Sequence, residues 1–163
     1  MSKLKTLCEI KNILSQNKNL KVSLTTGAFD IPHVGHRKYL KKAKGYGEIL
    51  ILILHSDNLI SIRKGPARPI RNEDIRIRRI SSKPYFFVDY IIIAETQEHV
   101  YRIISEIKPS VLVTSHTTKD EANSPQKMDE LFSREMEVVT LSAQSNVHSS
   151  DIITQRKLKN NTS

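Results

Sequence analysis

The sequence predicts an α/β fold, a mostly parallel sheet of about five strands flanked by helices, and two observations predict it. Five short apolar runs, Lys21–Thr25, Glu48–His55, Phe87–Ala94, Val111–Thr114 and Glu137–Leu141, have the length and saturation of buried strands. Between them lie segments with helical spacing or helix-start residues, and such alternation folds as parallel strands joined by helical crossovers. At 163 residues the chain is expected to be a single domain, residues 1–163, with a helix within the first 20 residues and a frayed tail at 159–163.

Each element has its own reason. Leu4–Gln16 places Leu4, Leu7, Ile10, Ile13 and Leu14 at helical spacing. Lys21–Thr25 is the first strand, and His33–Lys44 a turn leading into a helix. Glu48–His55 is apolar between its ends, as a strand covered on both faces must be. Ser56–Arg71 reads as a basic loop broken by Gly65, Pro66 and Pro69. Asn72 is a cap for a helix with Glu73 and Asp74 in its first turn, where acidic groups face the positive end of the helix dipole. Phe87–Ala94 is the third strand, Gln97–Ile107 a helix stopped ahead of Pro109, and Val111–Thr114 the fourth strand. A polar loop over Thr117–Pro125 leads to a short helix around Gln126–Arg134 and to the fifth strand, Glu137–Leu141. Ser150 is expected to cap a last helix ending near Leu158. In such a sheet ligands gather beyond the carboxyl ends of the strands, where the first strand hands over to Gly27.

Composition narrows the partners. The net charge is +9, from 26 Lys and Arg against 17 Asp and Glu. The densest part is Arg63, Lys64, Arg68 and Arg71, with Arg76, Arg78 and Arg79 close behind. No aromatic residues interleave with these cations, as stacking on single-stranded nucleic acid would require, so the cluster argues for a nucleoside triphosphate and against nucleic acid. The longest apolar run, Ile49–Leu54, is too short to span a bilayer, the first 20 residues carry no secretory pattern, and the lone Cys8 forms no pair within the chain. No membrane association and a cytoplasmic location are the expectation.

The most informative residues run from Thr26 to His36: Thr-Gly-Ala-Phe-Asp-Ile-Pro-His-Val-Gly-His. A strand, a glycine turn and a helix start are the parts of a phosphate site. Gly27 would let the backbone approach a ligand without a Cβ in the way. A helix starting near Gly35 would aim free N–H groups and its positive dipole end at the turn. His33 and His36, three apart on one helical face, can grip one anion together. Downstream, Lys64-Gly65-Pro66-Ala67-Arg68-Pro69 presents a point charge and a planar fork on a loop stiffened by two prolines. Asp57 stands just after the second strand, and Ser149 and Ser150 at the start of the last helix, where hydroxyls either cap the helix or bind a phosphate oxygen.

Gly27-Ala28-Phe29-Asp30-Ile31-Pro32-His33-Val34-Gly35-His36 resembles the nucleotidyltransferase superfamily named for its His-x-Gly-His motif, a Rossmann-like fold. Lys64 to Arg76 looks like the Lys-Gly-x-x-Arg-Pro segment in the adenylyltransferase half of heptose-phosphate enzymes, with Asp74 where that family usually has Glu. Phe87-Val88-Asp89-Tyr90-Ile91 is similar to a strand of that family and of glycerol-3-phosphate cytidylyltransferase that tends to lie near a dimer contact, which implies a homodimer. His148-Ser149-Ser150-Asp151-Ile152-Ile153 matches the family's Ser-Thr-Thr-x-Ile-Ile helix start.

The resemblance implies transfer of AMP, or CMP, from a nucleoside triphosphate to a phosphorylated sugar or polyol, with pyrophosphate released. ATP is expected over CTP because the Lys64–Pro69 loop looks like the adenylyltransferase branch. His33, His36 and Lys64 would be catalytic. Thr26, Gly27, Ala28 and Phe29 would supply backbone donors, with Asp30 orienting Lys64 or the acceptor and Asp57 at the sheet edge. Arg68, Arg76, Ser149 and Ser150 would hold the triphosphate. Mg²⁺ would arrive with the nucleotide rather than in a protein cage, and no protein metal site is expected. Other readings remain open: a metal site from Asp30, His33 and His36, a cytidylyltransferase or an enzyme like FAD synthetase, and a non-catalytic nucleotide- or RNA-binding domain. One departure bears on the acceptor. Thr114-Ser115-His116-Thr117 replaces a glycine- and aspartate-bearing turn, which implies a smaller or more anionic acceptor than the usual heptose or glycerol phosphate.

Overall fold

In the computed structural model, which describes residues 2–142, five parallel strands form one sheet in the order β3-β2-β1-β4-β5. They are β1 (Val22–Gly27), β2 (Ile49–His55), β3 (Tyr90–Ala94), β4 (Val111–Ser115) and β5 (Glu137–Leu141). Helices α1 (Leu7–Gln16), α2 (Val34–Lys44), α3 (Asp57–Lys64), α4 (Glu73–Ser81), α5 (Gln97–Ile107) and α6 (Pro125–Phe132) cover both faces. The expected Rossmann-like α/β architecture is what the chain adopts.

Side-chain alternation in β2 shows how the layers form. Leu50, Leu52 and Leu54 pack with Leu40 and Ala43 of α2 and Ile80 of α4. Ile51 and Ile53 point to the other face and pack with Ile10 of α1, Val100, Ile103 and Ile104 of α5, and Met128 and Phe132 of α6. The strand period of two thus divides one apolar run between two cores, and each fully buried Leu or Ile contributes about 1.5–3 kcal/mol. Chain order reverses between β1 and β4, so the crevice between their carboxyl ends is the switch point where ligands bind in such sheets.

The boundaries differ from expectation in informative places. Residues before Leu7 are not helical: Lys5 N–H donates to Ile91 O at 2.9 Å and Ile91 N–H to Lys3 O at 2.8 Å, extending the β3 edge. Thr6 then caps α1, its side chain and that of Glu9 exchanging hydrogen bonds with each other's backbone N–H. The segment Ser56–Arg71, expected as loop, contains α3. Ser56 Oγ accepts the N–H of Leu59, and Gly65, at φ 96°, ends the helix in a conformation that only glycine adopts freely. β3 begins at Tyr90 rather than Phe87, because Asp89 bends its carboxylate back to the N–H of Leu50 (2.7 Å) and the ammonium of Lys44 (2.6 Å). A 3₁₀ turn, Glu121–Asn123, interrupts the expected polar loop. The expected last helix, with His148, Ser149 and Ser150, falls outside the described residues.

Candidate active site

The site grows from the turn after β1. Phe29 takes a left-handed backbone conformation (φ 47°) and buries its ring among the core residues of the α2 face. A Cβ on Gly27 would stand 2.8 Å from that ring. The space expected to admit a ligand is therefore filled by Phe29, and the glycine is needed for this packing.

Asp30, almost fully buried, turns toward the segment after α3. Its carboxylate accepts the N–H groups of Ile70 (3.0 Å) and Arg71 (2.9 Å) and pairs with Arg68 Nη2 (2.9 Å). Burial works to raise the Asp30 carboxyl, but the two N–H groups and the Arg68 and Arg76 cations outweigh it and hold the group below its ordinary value. Asp30 is thus an anchor for the Arg68 loop, where orientation of Lys64 or of an acceptor had been expected.

His33 caps α2. Its Nδ1 accepts the N–H of Gly35 (3.0 Å), and Nδ1 of His36 accepts the N–H of His33 (3.3 Å). The two rings lie 4.0 Å apart between centroids. A Cβ on Gly35 would sit 2.8 Å from His33 Cε1, so only glycine lets the imidazole fold back over the helix end. A neutral imidazole that accepts at Nδ1 carries its proton at Nε2. With Nδ1 engaged, each of the two rings can present an Nε2–H donor. Burial, followed by the neighbouring His33 ring and the Lys64 ammonium, pushes His36 down to about 4, so it is neutral near pH 7.

Lys64 is the last residue of α3, within electrostatic reach of both His36 and His55. Among the described residues its ammonium has no hydrogen-bond or ion-pair partner. Two of its neighbours in the basic cluster are committed. Arg63 pairs with Asp120 and donates to Gln97, and Arg68 pairs with Asp30. Among the described residues this leaves the ammonium of Lys64 open, within electrostatic reach of the His36 and His55 imidazoles.

Arg76 corrects an expectation. It is 0% exposed, so it cannot hold a triphosphate tail. Its Nε donates to Arg71 O (3.0 Å), Nη1 to Ala28 O and His55 O (both 2.8 Å), and Nη2 to the Asp57 carboxylate (2.7 Å). Asp57 also accepts the N–H of Glu73 at 3.1 Å. Arg76 and Asp57 together tie the ends of β1 and β2 to the starts of α3 and α4, the frame on which Thr26 to Phe29 and Lys64 are held.

Sequence reasoning missed His55. It is 5% exposed at the carboxyl end of β2, with Nε2 3.0 Å from Thr26 Oγ1. Burial first, then Arg63, Lys64 and Arg76, push it down to about 3. The available signal was a polar residue ending an otherwise apolar strand. Across the crevice, Thr114 is buried against Thr140 (3.0 Å between hydroxyls), Ser115 Oγ lies 2.8 Å from Thr117 Oγ1, and His116 is exposed. Among the described residues no three His, Cys, Asp or Glu gather around one ion position. With both imidazole Nδ1 atoms and the Asp30 carboxylate already bonded, Asp30, His33 and His36 do not fit a resident metal.

The cytidylyltransferase-like family matches residues 24–156. The chain belongs to that family. Over 114 residues, 69% of this chain, it is 45% identical to the bifunctional protein HldE of Aliarcobacter butzleri, and over 118 residues it is 39% identical to HldE of Campylobacter jejuni. It spans about a quarter of the length of those relatives, 23% and 25% respectively. Among solved structures, the lipopolysaccharide core biosynthesis protein of Thermoplasma volcanium is 25% identical with a TM-score of 0.59, covering 79% of this chain and all of that one. Pantoate-beta-alanine ligase of Francisella tularensis, at 12% identity and a TM-score of 0.66 over 90% of this chain and 69% of that one, shares the fold. Among the described residues no helix of this cytidylyltransferase-like protein is long and apolar enough to cross a membrane.

Proposed function

We propose that this protein is a nucleotidyltransferase. It moves AMP, in preference to CMP, from a nucleoside triphosphate to the phosphate of a sugar or polyol phosphate and releases pyrophosphate. The observation that carries the reading is the pair of imidazoles of His33 and His36 at the switch point, each with Nδ1 engaged and Nε2 left to donate, beside a Lys64 ammonium that has no partner among the described residues. The family match supports the reaction class, and the identity with HldE over the stretch that resembles adenylyltransferases supports AMP.

An acceptor phosphate oxygen attacks the α-phosphorus while the bond to the bridging oxygen breaks, and negative charge moves to the departing pyrophosphate. Little covalent work falls to the protein, so catalysis is positioning and stabilisation of charge. His33 and His36 donate to phosphate oxygens, and the His36 bond strengthens as charge develops. Lys64 stands over the α-phosphate and draws in the attacking phosphate. Arg68 supplies its free guanidinium edge, and Ser149 and Ser150 the far end of the triphosphate. Mg²⁺, brought in with the triphosphate, would screen its charge. Residues 1–163 form a single nucleotidyltransferase domain that acts in the cytoplasm as a homodimer.

The test is pyrophosphate release from ATP and from CTP with a panel of sugar and polyol phosphates. Acceptor-dependent release with ATP supports the proposal. Nucleotide binding without release for any acceptor would point to a binding module instead.

A further inference from the structure

Among the described residues, His55 is a buried titratable group that the proposed chemistry leaves without a task. The site offers no electrostatic reason to place it there: Arg63, Lys64 and Arg76 all lie within electrostatic reach, and its own carbonyl is held by Arg76. Around it, Leu54 and Ile53 pair with Gly27 and Thr26 of β1, while His55 itself pairs with Ala94 of β3 and Ser56 N–H donates to Ala94 O. An apolar side chain would fill that position without bringing an imidazole among three cations. Among the described residues its ring has one hydrogen-bond partner, the Thr26 hydroxyl at 3.0 Å.

Thr26 is the last side chain of β1 before the glycine turn, and its hydroxyl has a single proton. If that proton goes to His55, the oxygen shows an approaching phosphate lone pairs alone. If His55 Nε2–H donates to Oγ1, the hydroxyl proton is free to donate outward. We infer that His55 is a positioning residue: its Nε2–H fixes the Thr26 hydroxyl so that Thr26 gives the triphosphate a further side-chain donor alongside His33 and His36. The two parts of the site are joined by Lys64, whose ammonium is within electrostatic reach of both His36 and His55. Because burial, and after it the same cations, keep the ring neutral, the ring does not charge near neutrality and the arrangement does not switch off there. This inference rests on the nucleotide-binding reading above.

Two measurements test it. The ¹⁵N spectrum of the histidine rings of the intact protein distinguishes an Nε2–H from an Nδ1–H imidazole; the expected result for His55 is Nε2–H, and Nδ1–H overturns the inference without any variant. Calorimetric titration with ATP and CTP then compares wild type with Thr26→Val, His55→Leu and the double variant, each checked for a native thermal transition. A hydrogen bond to a charged group makes the expected loss about 10- to 100-fold in affinity for each single variant, and no further loss in the double variant. His55→Asn, whose amide can donate to the same oxygen, should recover most of the loss, which a packing defect would not. Unchanged affinity in Thr26→Val, or fully additive losses in the double variant, would overturn the positioning role while leaving nucleotide binding intact. Absence of binding by the wild type would overturn the nucleotide reading itself, and this inference with it.

Discussion

In the proposed reaction His36 works as a neutral donor, its Nδ1 occupied by the backbone N–H of His33. Transition-state stabilisation by such a donor appears in turnover rather than in binding. His36→Ala is therefore expected to lower kcat about 10²- to 10³-fold with a much smaller change in nucleotide affinity, and steady-state kinetics with the best acceptor checks it. Activity equal to wild type would remove the phosphate role from this histidine. Gly35→Ala should imitate the loss at one remove, because the new Cβ meets His33 Cε1 at 2.8 Å and turns the ring out of its cap. The two glycines of the motif thus serve two side chains, Phe29 and His33, a division that motif spacing alone does not display.

At the scale of elements, the motif and its flanking strand and helix were legible because strong signals agreed: an apolar run, a glycine turn and a helix start. Helix α3 was not. Pro66 and Pro69 drew attention to a loop, yet the Ser56 cap, buried Leu59 and Ile60, and Gly65 at a helix stop already marked a short helix ahead of them. Arg76 was legible as a cation but not as a buried one, since periodicity places a side chain on a face without revealing what lies opposite. Its four hydrogen bonds make the junction of β1, β2, α3 and α4 one unit. Arg76→Met should cost about 3–5 kcal/mol of stability, measured by urea unfolding, because it strands the Asp57 carboxylate and several carbonyls. A loss below about 1 kcal/mol would show that the junction holds without the guanidinium. On the far side of the crevice, His116 stands exposed at the end of β4 and adds a donor where the turn would otherwise be small. His116→Gly is expected to raise the acceptor KM several-fold and leave the ATP KM unchanged; an equal shift in both would move this turn from the acceptor to the nucleotide.

For the whole molecule, the charged groups around the crevice set how stability depends on pH. His36 and His55 have an ordinary value of 6.5 in the unfolded chain and are held to about 4 and about 3 in the fold. Between those values the unfolded chain binds protons that the folded chain refuses, so stability is complete above about pH 6.5 and falls as the pH drops toward 4. Asp30, lowered from 3.8, adds a loss of the same sign at the acid end of the window. Glu73 is raised from 4.5 by burial, partly offset by its hydrogen bond at Asp57, and works in the opposite sense, favouring the folded chain in acid. Two imidazoles and an aspartate outnumber it, and the larger displacements are those of the imidazoles. His55 alone sets a slope of up to about 1.4 kcal/mol per pH unit. Urea unfolding at pH 8, 7, 6, 5 and 4 should therefore give a level midpoint from 8 to 7 and a steady fall below 6. His55→Asn should flatten part of that fall, since an amide has no proton to refuse. Bound triphosphate should flatten another part, because its negative charge beside His36 raises that imidazole toward its ordinary value. A wild-type midpoint that stays level from pH 7 to pH 5 would mean that the imidazoles are already charged in the fold, and the neutral-donor account of the site would fall with it.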